Sequence, residues 1–271
     1  MSSTTKLEHP ADLTFSEYNR WQQNALLFDN LRGQTFQIKA NDKYVYDGIN
    51  WLIPDYEGFA VISTVSNNPG NDNCFNQLYN LKEELKSLLK NESVYYWLPE
   101  DSYHQTIANT LSNKKYNINI NEPGLIQQFP EMIKSAFDSI SVPASSVPVV
   151  IKMLGFNVFG SCIALLGVFE NNYDYERIIT FRQQFYSYPL LNNIGIKLTR
   201  PFIGHITFAY IGKELTVNLR EDLAQILHNL NKNIESLNIN FKITSTELRY
   251  FKNLSYFEMK PEYPSFNFIT N

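Results

Sequence analysis

The spacing of apolar residues divides this chain near Gly58. Downstream of that point, Phe59 to Val65 form a short β-branched run that predicts a strand, and a turn cluster from Asn67 to Asp72 follows. Leu78, Leu81, Leu85, Leu88 and Leu89 then recur on one helical face. A second strand-like run, Val94 to Leu98, stops at Pro99 and leads into Tyr103-His104-Gln105-Thr106. Residues 125–140 predict a helix, 147–154 and 162–169 two strands, and 175–188 a further helix. Phe202 to Ile211 reads as a strand entered from Pro201 and closed by Gly212. Asn218 and Glu221 resemble a capping box, ahead of a helical stripe at Leu219, Leu223, Ile226, Leu227, Leu230 and Ile234. Leu237, Ile239, Phe241 and Ile243 alternate with polar neighbours as in a half-buried strand, and Tyr256 to Met259 predicts a last strand paired with it.

Upstream of Gly58 the pattern fails. Residues 1–14 are polar and expected to be a disordered tail, and residues 15–57, rich in aromatic residues and Asn, read as an N-terminal extension. Residues 58–271 read as a single α+β domain whose two halves share an organisation of short strands and helices. Each half carries one His-x-Thr, and no repeat is visible at residue level.

With 44% hydrophobic and 18% charged residues, the chain can bury one sizeable core. A formal charge of −4 argues against a long basic track for duplex DNA, while leaving room for a small nucleotide or a strand end. Two cysteines, Cys74 and Cys162, both in apolar surroundings, read as free thiols in a reducing compartment. The first residues lack the apolar core of a secretory signal, and the longest apolar run, Cys162 to Phe169, is far short of the roughly 20 residues a membrane span needs. A cytoplasmic, monomeric protein without a membrane partner is the expectation.

The chemistry rests on the two His-x-Thr segments. On a strand, residues i and i+2 share a face, so His104 with Thr106, and His205 with Thr207, each present an imidazole beside a hydroxyl. Gln105 and Ile206 point away, and Ile206, Phe208 and Tyr210 are expected to bury the back of the second strand, with Ala209 facing a cleft. Should the strands face each other, one imidazole can take a proton while the other gives one, and the hydroxyls can hold the nonbridging oxygens of a phosphodiester. One His-x-Thr alone carries little weight. Two, drawn from only four histidines and about 100 residues apart, carry more.

His228 falls on the solvent side of its helix and His9 in the tail. No HExxH, paired CxxC, acidic calcium loop, GxxxxGK[ST] or GxSxG occurs, so no metal ligand set is visible and no cofactor is expected. Arg200, Lys197, Lys114 and Lys115 are the cations nearest the motifs, and Tyr103 and Phe202 the nearest aromatic candidates for substrate contact. Solvation for the cations and core packing for most of the aromatics are the competing readings.

Tyr103-His104-Gln105-Thr106 and Gly204-His205-Ile206-Thr207, with the Phe-Ala-Tyr-Ile-Gly that follows, resemble the paired motifs of the two-histidine (2H) phosphoesterase superfamily, the RNA ligase and cyclic nucleotide phosphodiesterase group. The resemblance spans roughly Gly58 to Met259 and is nearest to an uncharacterised branch. It implies a bilobal, pseudo-twofold fold with antiparallel sheets lining a central cleft and helices outside. It also implies catalysis by His104 and His205, with Thr106 and Thr207 on the phosphate, His205 serving as base and His104 as acid in cyclic phosphate hydrolysis. The expected partner is a 2′,3′-cyclic phosphate nucleotide or RNA terminus. A cyclic oligonucleotide substrate, a non-catalytic module holding a nucleotide or RNA end, and a coincidence of motifs that never meet are the alternatives. Gln105 stands where the family is usually apolar, and Gly204 where proline is common.

Overall fold

The computed structural model describes residues 13–91 and 93–270. Residues 1–12 of the expected tail, His9 among them, lie outside the described residues, and Thr14 is already the N-cap of the first helix, in a reciprocal capping box with Glu17.

In chain order come α1 (Phe15–Ala25), α2 (Phe28–Gln37), a small hairpin of β1 (Val45–Tyr46) and β2 (Trp51–Leu52), β3 (Gly58–Thr64), α3 (Asp72–Leu88), β4 (Tyr95–Trp97) and β5 (His104–Ser112). They are followed by a short α4 (Lys114–Tyr116), α5 (Phe129–Asp138), β6 (Val149–Phe159), β7 (Cys162–Phe169), α6 (Asn172–Ser187), α7 (Pro189–Asn193) and β8 (His205–Ile211). The chain then forms α8 (Val217–Ile234), β9 (Asn240–Ile243), β10 (Ser245–Asn253), β11 (Tyr256–Glu258) and β12 (Ser265–Asn267). The class is α+β. Two larger antiparallel sheets form, one in the order β11-β10-β3-β5 with β12 also on β10, the other β4-β8-β7-β6-β9.

Each larger sheet holds one His-x-Thr strand, but the sheets do not follow the halves of the chain. Tyr95–Trp97, directly before the first motif, pair with Ile211–Ala209 of β8 in the second motif's sheet. Residues 245–267 return to the first motif's sheet, where Glu247–Phe251 pair with Ile62–Gly58. The last predicted pairing is therefore corrected. Tyr256–Glu258 lies on β10, whereas β9 pairs with β6. The strand β10 was illegible because Glu247 and Arg249 interrupt its apolar pattern. Both are accommodated by a 2.5 Å ion pair, with Arg249 also donating to the Phe257 carbonyl at 3.3 Å.

Residues 15–57 contribute to the same core through Tyr18, Leu31 and Ile38, and Tyr44 is fully buried as well. Asn19 donates to the Phe169 carbonyl at 2.9 Å, tying α1 to β7. The buried Arg220 guanidinium of α8 donates to the carbonyls of Thr35, Phe36 and Ile38, satisfying the end of α2. His228, expected in solvent, is half-buried against Phe28 at 4.9 Å for the same reason: α2 covers that side of α8. The expected capping box is also displaced, since Thr216 caps α8 by accepting from the Leu219 N–H. On α3, Leu78, Leu81, Leu85 and Leu89 are buried as predicted, but Leu88 is exposed.

Candidate functional site

The two His-x-Thr strands are bulged at the same place. In β5 the register runs from Thr106↔Ile62 to Ala108↔Val61, leaving Ile107 as an extra residue. In β8 it runs from Thr207↔Ala164 to Ala209↔Ile163, leaving Phe208 extra. Over their first six residues both strands show one sequence of burial: half-buried, buried, half-buried, buried, buried, half-buried. Each bulge shifts the alternation by one residue, so the third cleft-facing residue stands three beyond the threonine, Asn109 in β5 and Tyr210 in β8. This corrects the strict alternation that placed Ala209 in the cleft and Tyr210 behind it.

The carbonyl freed by the β5 bulge is satisfied from behind. Arg182 of α6, buried, donates to the Ile107 carbonyl at 2.5 Å and to the Arg200 carbonyl at 3.1 Å. Tyr186, one turn on, accepts from the Asn109 N–H at 2.7 Å and donates to its carbonyl at 3.1 Å. One face of α6 thereby supports both the bulged strand and the approach to β8.

His104, Thr106, His205 and Thr207 line a single cleft of about 360 Å³. The imidazoles are mounted alike. His104 Nδ1 lies 2.6 Å from the Ser102 carbonyl and His205 Nδ1 lies 2.9 Å from the Ile203 carbonyl, in each case two residues upstream. A carbonyl can only accept, so the neutral ring carries its hydrogen on Nδ1 and leaves Nε2 for the cleft. The rings also lean on aromatic neighbours, His104 on Phe257 at 4.3 Å and His205 edge-on to Phe159 at 4.9 Å.

Burial pushes both imidazoles down to about 4, against the opposing effect of their carbonyl partners. His205 is held down further by His104 and Arg200. Both rings are thus neutral at neutral pH. Cys162 also lines the cleft, but burial pushes its thiol up to about 12, so it remains an unreactive thiol. Among the described residues no group of three or more His, Cys, Asp or Glu could hold a metal ion.

Of the remaining candidates, Arg200 reaches the cleft, donating from Nη2 to Asn109 Oδ1 at 2.9 Å. Lys114, Lys115 and Lys197 are exposed outside it. Tyr103 and Phe202 do not line it. Tyr103 is buried and stacks on Phe208 at 5.0 Å, because a residue next to His104 on extended backbone faces the opposite side. Phe202 is buried between Tyr18 and Phe169. The cleft's aromatic lining comes instead from Tyr56, Phe59, Phe159, Tyr210, Phe251 and Phe257, and a second cation comes from Lys43. Lys43 and Tyr56 belong to the aperiodic residues 15–57, which offered no signal to place them.

Gln105 and Gly204 each have a partner. Gln105, fully buried, accepts the His205 N–H and donates to the Ile203 carbonyl. The Gly204 N–H donates to the Tyr18 hydroxyl at 2.9 Å, and a Cβ on Gly204 would lie 2.7 Å from both that hydroxyl and the Gly167 carbonyl. Proline there would remove the N–H, and any side chain would crowd α1 off β7.

Among the described residues no helix is long and apolar enough to cross a membrane. No family model matches the chain, and no curated protein matches it. Among solved structures it is similar to a conserved protein of unknown function from Agrobacterium tumefaciens strain C58. The two share 13% identity over 80% of this chain and 89% of the other, with a TM-score of 0.54, a likeness of fold alone.

Proposed function

We propose that the protein is a phosphodiesterase of the two-histidine type that opens a 2′,3′-cyclic phosphate on a nucleotide or RNA terminus. The observation that carries this reading is the matched mounting of His104 and His205, each held through Nδ1 on a carbonyl with Nε2 left for one shared cleft. Thr106 and Thr207 stand beside them as hydroxyl donors for the nonbridging oxygens, where charge accumulates during transfer. The motif resemblance is a second, independent support.

In this reading the phosphodiester anion enters a cleft lined by Arg200 and Lys43 and, among the described residues, by no carboxylate. Its negative charge raises the affinity of the adjoining imidazole for a proton, offsetting the burial that otherwise keeps both rings neutral. His205 Nε2 takes a proton from water as the water oxygen bonds to phosphorus. His104, protonated, gives its Nε2 proton to the ribose oxygen as the ring P–O bond breaks. The product is a ribose phosphomonoester with a free vicinal hydroxyl.

The test is hydrolysis of nucleoside 2′,3′-cyclic phosphates in EDTA by the wild type, His104→Ala and His205→Ala. General acid–base catalysis contributes about 10²–10⁴-fold, so each variant is expected to lose activity on that scale while still unfolding in one cooperative transition. The double variant should lose little more than either single one, since the pair acts as a unit. Wild-type rates in both single variants would overturn the assignment.

A further inference from the structure

The cleft holds two cations, each beside the residue that stands three beyond a motif threonine. Arg200 is bonded to Asn109, three residues beyond Thr106. Lys43 Nζ lies 5.5 Å from the ring of Tyr210, three residues beyond Thr207, and 4.4 Å from that of Tyr56. Lys43 is half-buried, and among the described residues no carboxylate pairs with it. Its mount is stiff. The backbone N–H groups of Lys43 and Tyr44 both donate to Asn41 Oδ1 at 2.8 Å, and Asn41 donates from its own N–H and Nδ2 to the Ile211 carbonyl at the end of β8.

A lysine resting on two tyrosine rings is by itself common packing. What distinguishes Lys43 is where it stands. A groove of about 600 Å³ adjoins the cleft, and the two share Lys43, Phe159, Gly160 and Ser161 as lining. The groove continues along Gln34, Gln37, Lys39 and Asn41, with Asp42 its one carboxylate among the described residues. A cation at the junction of a reactive cleft and a polar groove is placed to take the phosphate next to the reacting one.

We propose that Lys43 forms a second phosphate subsite, and that the groove beyond it carries the strand of a single-stranded nucleotide chain whose terminal phosphate sits between His104 and His205. The proposal rests on the two-histidine reading of the cleft and deepens it: the preferred ligand is a chain with at least one phosphodiester beyond the reactive phosphate. Lys43 positions and selects; it is not asked to transfer a proton.

The test is binding, which needs no turnover. A 5′-fluorescein hexaribonucleotide bearing a 3′-phosphate is titrated by anisotropy, and a nucleoside 3′-monophosphate competes against it, with the wild type, Lys43→Gln and Lys43→Arg. The wild type is expected to bind the hexamer at least tenfold more tightly than the monophosphate, and Lys43→Gln to compress that ratio severalfold. Its plot of log affinity against log salt should be shallower by about 0.7, the share of one phosphate contact on a single strand. Lys43→Arg should restore the ratio and the slope. Equal affinity of the wild type for the two ligands, or a ratio unchanged in Lys43→Gln, overturns the subsite. Loss of all cyclic phosphate turnover with this binding pattern intact would sink the proposed reaction and leave the subsite standing, and turnover without the affinity ratio would do the reverse.

Discussion

The side-chain carbonyl of Gln105 accepts the backbone N–H of His205 at 2.7 Å, while its amide donates to the Ile203 carbonyl at 3.0 Å. That same carbonyl receives Nδ1–H of His205. A residue between the histidine and threonine of one motif therefore fixes the start of the other, joining β5 to β8 where their sheets meet. Gln105→Leu is expected to cost about 1–3 kcal/mol in urea unfolding, the usual penalty for leaving buried donors and acceptors unpaired. It should lower kcat more than it raises KM, because the ring it misplaces is needed for proton transfer and the phosphate donors remain. Unchanged stability and kcat would show that the clamp is dispensable.

The depressed imidazoles predict an acid-shifted rate profile. Free enzyme carrying one proton on the pair becomes about tenfold more abundant for each unit that pH falls above the titration near 4. Accordingly kcat/KM for a cyclic phosphate should rise by about that factor per unit between pH 7 and pH 5. The profile of kcat, which reports the occupied cleft, should break at higher pH because the bound anion favours the charged ring. A kcat/KM that is flat from pH 7 to pH 5 would contradict neutral rings in the free enzyme.

The same shift bears on stability. Folded values near 4 lie below the ordinary histidine value of about 6.5, so between these limits the unfolded chain binds more protons than the folded one. The stabilisation from these two sites is complete above pH 6.5 and is lost as pH falls toward 4. Thermal melts of the wild type and of a His104→Asn, His205→Asn double variant should therefore diverge in pH dependence across this window, the variant having the shallower slope. Parallel curves would deny the burial effect.

Gly204→Ala places a Cβ 2.7 Å from the Gly167 carbonyl and the Tyr18 hydroxyl, both on buried backbone or a buried ring. Overpacking of this kind costs about 1–3 kcal/mol. Gly204→Pro should cost more, since it also removes the N–H that Tyr18 accepts. Chemical denaturation of both variants checks the order, and a stable Gly204→Pro protein would mean that α1 can leave β7 without penalty.

Tyr18 and Gly204 also mark the limit of what could be read from one dimension. Where packing has a short period, as in the leucine stripe of α3 or the alternation around Phe241, the sequence records it directly, and those elements appear near their predicted places, although the second strand starts only at Asn240 and leaves Leu237 exposed in a 3-10 turn. The i, i+2 rule likewise brought His104 to Thr106 and His205 to Thr207, since strand geometry alone decides it. The aperiodic residues 15–57 fold on surfaces supplied by β7, β8 and α8, so their aromatic residues carry no internal repeat to read.

From the sequence by itself came an α+β chain, two imidazole–hydroxyl pairs on strands, and the residues flanking them. Local backbone periodicity is sufficient for each. Only the tertiary structure decided that the pairs share one cleft, that bulges bring Asn109 and Tyr210 to it, and that Lys43 and Tyr56 join from far upstream. It also buried Tyr103 and Phe202 and lowered both histidines. These outcomes depend on which surfaces meet and how much water they exclude, and neither is a property of neighbouring residues in the chain.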